Sequence, residues 1–169
     1  MKIATRYQLF ILLLLFGLVS KQVLAAPYVI TMSELDFSDF LPITGNCEMD
    51  LTGDVTDLPG SQMCISPESG TVAHYRIIAP KNTNFNIRIN SRPAENSDGL
   101  TFTPVGKITS EVDDIDIVPG QTHVANSGLL GRIDIQFGGQ VILSNAFAFR
   151  ADQFHEIEME ALLTWSEVP

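Results

Sequence analysis

Few residues in this chain are of types that do chemistry, and their spacing decides what they can do. His74, His123 and His155 are the three histidines. None lies in a metal-binding spacing such as HExxH, and no serine sits in a nucleophile elbow between glycines. Each histidine therefore reads as a packed or solvated ring, and a hydrolase triad has no starting point. The acidic run Glu111-Val112-Asp113-Asp114-Ile115-Asp116 is the one cluster with cation-binding chemistry. Asp113, Asp114 and Asp116 could supply carboxylate oxygens to calcium. The run lacks the strict spacing of a calcium loop, and its alternation with Ile115 and Ile117 predicts that Asp114 and Asp116 face water from a strand. No cofactor is implied, and Asn96-Ser97-Asp98-Gly99 reads as a turn.

Cys47 and Cys64, 17 positions apart, are the only cysteines, and no histidine lies between them. Two thiols without further ligands make a poor metal site. In an oxidising compartment they predict a disulfide, worth about 3 kcal/mol for a loop of this length in the chain-entropy account. The last candidate is Gly138-Gly139 in GRIDIQFGGQVILS. A phosphate-binding loop requires a helix after it, whereas Gln140-Val141-Ile142-Leu143 begins another extended run. The pair is expected to turn a tight hairpin.

The compartment follows from the first 25 residues. Lys2 and Arg6 precede an apolar run of 11 residues, Leu9 to Val19, and Val23-Leu24-Ala25 has the small-residue pattern of a cleavage site. This predicts a signal peptide over residues 1–25, too short to span a bilayer comfortably. The mature chain, 26–169, is one domain in length and carries seven basic residues against 20 acidic ones, a formal charge of −13. That balance, with no basic patch interleaved with aromatics, excludes nucleic acid as a partner, and no stretch reads as a membrane-surface helix. The expected location is the periplasm, the cell surface or the medium, with no stable membrane insertion after cleavage.

The elements that must hold these residues are strands. Phe85 to Asn90 alternates apolar and polar, as does Gly131 to Phe137, and His155 to Ala161 continues the pattern through Leu163 to Trp165. Residues Glu156 to Leu163 are good helix formers, yet a helix would scatter Ile157, Met159, Ala161 and Leu163 around its circumference. A strand gathers them on one face. Shorter extended runs are Tyr28–Met32, Met49–Leu51, Val72–Ile78, Leu100–Thr103, Ile115–Val118 and Val141–Leu143. Between them fall turn signals such as Pro59-Gly60, Pro80-Lys81-Asn82, Pro119-Gly120 and Asn126-Ser127-Gly128. The expected fold is all-β: a single immunoglobulin/pilin-like β-sandwich of antiparallel strands.

The order of several short motifs is similar to that of a bacterial secreted family catalogued as domain of unknown function 4402. Leu35-Asp36-Phe37-Ser38-Asp39-Phe40 follows the leader, as an early "FG" element does there. Ala73-His74-Tyr75-Arg76-Ile77 with Asn84 to Ile89 matches a strand pair. Arg132 to Val141, with Gly138-Gly139, matches a late hairpin. The resemblance implies a pilin-like envelope protein and brings no catalytic residues with it.

The expected function is a non-enzymatic envelope or surface protein, a fimbria-like subunit assembling by β-strand addition. The segment APYVITMSEL, residues 26–35, is the candidate donor, with Tyr28, Ile30 and Met32 on one face. The alternative is that it forms the first strand of its own domain. Expected partners are further copies, other pilus-type subunits and a periplasmic chaperone. A second class of function is a monomeric binding module for carbohydrate or calcium. Trp165, Tyr28, Tyr75 and the acidic run are its possible contributors, although Trp165 lies in register with the apolar positions of the last strand.

Overall fold

A computed structural model describes residues 26–37, 41, 43–65, 69–93, 99–145 and 162–168. The described chain is all-β, with antiparallel strands in two sheets and no helix, as a sandwich requires. Five strands carry the larger sheet's long pairings: β1 (Tyr28–Ser33), β2 (Gly45–Met49), β4 (Ala73–Ile78), β7 (Leu100–Thr109) and β10 (Arg132–Leu143). Three short ones finish its margins: β3 (Val55–Asp57), β6 (Arg92–Pro93) and β8 (Asp114–Asp116). The smaller sheet orders β11 (Leu163–Glu167), β5 (Asn84–Ile89) and β9 (Thr122–Asn126), with β5 central.

The expected hairpin at Gly138-Gly139 is not there. β10 runs straight through both glycines, and its alternation keeps phase: Ile133, Ile135, Phe137, Val141 and Leu143 are all buried. Along one side β10 pairs with β7 from Asp134↔Thr109 to Leu143↔Leu100. Along the other it has two successive partners, β4 against Arg132–Phe137 and β2 against Gly139–Leu143. Gly138 is the residue between those two ladders. A Cβ there would run into the carbonyl of Met49, and one on Gly139 (φ +140°) into the carbonyl of Thr103. The glycines allow close approach of neighbouring backbones in a continuous strand, a role that looks the same as a turn in one dimension.

Inward residues of both sheets make one core. Phe102, Phe137, Ile133 and Ile135 of the larger sheet and Phe85 and Ile87 of the smaller are fully buried. Tyr75 stacks on Phe137 with ring centroids 6.1 Å apart, and Phe37 meets Phe102 edge-on at 5.9 Å. Trp165 faces inward beside Ile87 and packs on Phe85 at 5.9 Å. At the opposite end from Ile78 and Arg132, the Cys47–Cys64 disulfide joins β2 to the irregular segment after β3.

Other boundaries move for local reasons. Met49–Leu51 is not extended to its end, because Asp50 and Leu51 open a turn in which the Asp50 carboxylate accepts the Thr52 and Asp54 amides. The run Ile115–Val118 becomes a strand at Asp114–Asp116 with one further bond, from the Ile117 amide to the Gly106 carbonyl, before the Val118 amide turns to His123. The terminal alternating run is a strand at Leu163–Glu167, and its stretch from 146 to 161 lies outside the described residues.

Candidate functional site

The residues singled out for chemistry do not converge. His74 and Arg76, neighbours on the outer face of β4, both reach the Asp134 carboxylate of β10, at 2.7 and 2.8 Å. The His123 ring is buried between the sheets, where its Nε2 accepts the Val118 amide at 3.2 Å. His155 lies outside the described residues. The three calcium candidates are divided. Asp113 accepts the Asn126 amide at 2.6 Å, whereas Asp114 and Asp116 flank the Lys107 ammonium at 2.9 and 3.8 Å. Glu111 of the same run accepts the amides of Leu129 and Leu130, at 2.8 and 3.3 Å, so the run braces two loops against each other. Tyr75 and Trp165 face the core rather than a sugar. Among the described residues one group of His, Cys and carboxylates converges at ligand distances, Cys47, Asp57 and Cys64, and both of its sulfurs are joined in the disulfide.

The Asp134 cluster has a structural consequence. Burial works to raise the Asp134 pKa, but hydrogen bonds from Arg76 and His74 outweigh it and hold the carboxyl below its usual 3.8. A carboxyl depressed in the folded state stabilises that state fully above the unfolded pKa, and the contribution is lost as pH falls through the folded value. Asp134→Asn should therefore cost about 1 kcal/mol at neutral pH. Its unfolding free energy should also fall less steeply than the wild type's below pH 4, measured by urea titration across the acid range.

What the structure does bring together is a sheet edge. β1 pairs with β4 from Tyr28↔Ile78 to Ser33↔His74, so residues 26–35 contribute a strand to their own domain. Val29 turns inward against the core, while Tyr28, Ile30 and Met32 are 51, 38 and 50 % exposed. No described strand pairs with the other side of β1, so among the described residues it is the margin of the larger sheet beyond β4. The remaining margins of the larger sheet are of a different kind. β3 is three residues ending in Asp57, β8 is Asp-Ile-Asp, and β6 is Arg92-Pro93. Brevity, charge, proline and β-bulges are the devices by which sheets block further pairing, and of these β1 carries only a bulge, near its C-terminal end. β1 has six residues, Tyr-Val-Ile-Thr-Met-Ser, and no charge or proline among them. Its one irregularity is a shift of register between Thr31 and Ser33.

The signal for this edge was present in the sequence as a lack of charge. The side chains of residues 26–33 carry none in a chain with 20 acidic residues. That β1 would be marginal, and which of its faces would be wet, depended on pairing that the sequence does not display. Together the fold and this margin define an all-β, two-sheet protein in whose larger sheet β1 is the one described margin longer than three residues. No family model, no curated protein and no solved structure matches the chain.

Proposed function

We propose that this is a non-enzymatic, exported structural protein of the cell envelope or surface, a fimbria-like, pilin-type subunit that associates by β-strand addition at β1. The observation that supports this reading is the contrast among the margins of the larger sheet: three are short and charged or proline-bearing, and one is long, uncharged and flanked by exposed Tyr28, Ile30 and Met32. An extended segment laid along β1 would gain main-chain hydrogen bonds from the strand and side-chain contacts from that stripe. Until assembly, such a margin calls for cover, which is the task of a periplasmic chaperone in this reading. The resemblance to the secreted family of unknown function belongs to the same proposal.

The test uses the mature protein and a fluorescent peptide with the sequence of residues 26–35. The peptide should bind wild-type protein saturably, and Ile30→Lys should abolish binding while leaving the melting temperature within a few degrees, since the Ile30 side chain is partly exposed. A wild-type protein that stays monomeric at every concentration and takes up no extended peptide would overturn the reading.

A further inference from the structure

We infer that the occupant of the β1 edge is β1 of a second copy, paired antiparallel about a two-fold axis through Ile30. The inference rests on strand addition at β1 and names its partner; an isologous pair closes on itself, so growth of a fimbria would have to use a second surface.

The alternation of the strand restricts where such an axis can lie. Residues directly opposed in an antiparallel pair point to the same side of the sheet. A two-fold axis perpendicular to the sheet keeps the outer face outer, so it must pass through a residue and never between two. An axis at Ile30 sets Ile30 against Ile30 of the partner subunit and Tyr28 against Met32 of the partner subunit. Val29 and Thr31 pair likewise on the inner side. Centring on Val29 or Thr31 would shorten the overlap and leave part of the stripe without an apolar mate. The register shift between Thr31 and Ser33 leaves Met32 without a partner on β4, so the bulge falls on the outermost pair of this overlap and the joint is firmest over Val29–Thr31.

The chemistry of the pairs is self-complementary. A thioether against a phenol ring is a favourable contact, and two such pairs flank a central aliphatic one. No residue of β1 is charged, so no like charges are forced into opposition at the joint. Elsewhere each mature chain carries −13 and repels its copy at long range. A joint of about five paired residues also buries far less than the ~1,600 Å² of a standard interface. The dimer is therefore weak and reversible, and it tightens as salt screens the repulsion. An interface held by ion pairs would respond in the opposite sense.

The geometry is tested by cysteine cross-linking of the mature protein. Cβ atoms of directly opposed residues lie about 4.5–5.5 Å apart, a separation from which a disulfide closes with little movement. Cys47 and Cys64 are already joined, so an introduced thiol is the only free one. Ile30→Cys should oxidise to a covalent dimer at least tenfold faster than Val112→Cys, an exposed control in the turn between β7 and β8. Sedimentation of the wild type should show the dimer fraction rising between 20 and ~300 mM salt, as the Debye length falls. Ile30→Lys should remove the dimer at both salts. Equal cross-linking rates for the two cysteine variants, a ladder of oligomers beyond the dimer, or a dimer fraction that falls with salt would overturn the inference. If these fail while the 26–35 peptide still binds, the two-fold arrangement is wrong and strand addition stands. If the peptide fails too, the functional reading falls with it.

Discussion

Gly139→Val should abolish or nearly abolish the folded state, lowering stability by about 4 kcal/mol or more, in the range where single substitutions unfold small domains. Two independent costs combine at this position. The backbone φ of +140° is one that L side chains rarely adopt, and a Cβ would be driven into the Thr103 carbonyl with the Pro104 Cα at 2.9 Å. Both obstacles are backbone of β7, which is pinned to β10 over ten paired residues from Asp134↔Thr109 to Leu143↔Leu100. Neither can move without breaking the ladder. Gly60→Ala separates the two costs. Its φ is +89° but a Cβ would meet nothing within 4 Å, so it should lose only about 1 kcal/mol. Urea denaturation of both variants checks the difference. A Gly139→Val protein as stable as Gly60→Ala would mean that the β7 backbone does not crowd Gly139 as described.

Phe137→Ala has the next largest effect, about 4 kcal/mol by the same measurement. The ring is fully buried and lies between Tyr75, 6.1 Å away, and Phe102, 6.4 Å away. Its cross-strand neighbours are Ala73 and Gly106, the smallest residues available, so nothing nearby on the sheet can swing in to fill the space. Gly106 cannot be enlarged in compensation, because a Cβ there would strike the Gln136 carbonyl and the Phe137 backbone. The cavity stays open, and the full transfer and packing terms are lost. Phe137→Leu keeps most of the volume and should cost less than half as much. Equal losses for the two would show that ring stacking, rather than filled volume, holds this layer.

Much of the fold was legible because burial in strands has a period of two. Phe85, Ile87 and Ile89 declared an inward face, and β5 buries that face. The cysteine pair was equally plain, and the structure joins it. β9 was missed because an inward position is filled by His123, which breaks the apolar alternation. The structure accommodates that ring by letting Nε2 accept the Val118 amide. β3 is too short to show any period. The acidic run drew attention for the density of its carboxylates. Asn126 engages Asp113, Leu129 and Leu130 engage Glu111, and the Lys107 ammonium lies between Asp114 and Asp116, so the four carboxylates do not converge.

The amino-acid order by itself determined the all-β class, the inward faces of the principal strands and the disulfide. Each of these depends on residues that are neighbours in sequence or on a pair with no rival. Which strand lies beside which was decided by tertiary structure alone. Pairing is made by backbone groups common to every residue, so the side-chain pattern says which way a strand faces and little about its neighbour. For that reason Gly138-Gly139 looked like a turn and proved to be where β10 changes partners. For the same reason the uncharged segment at Tyr28 became meaningful only when β1 was found at a margin, with its apolar stripe in water.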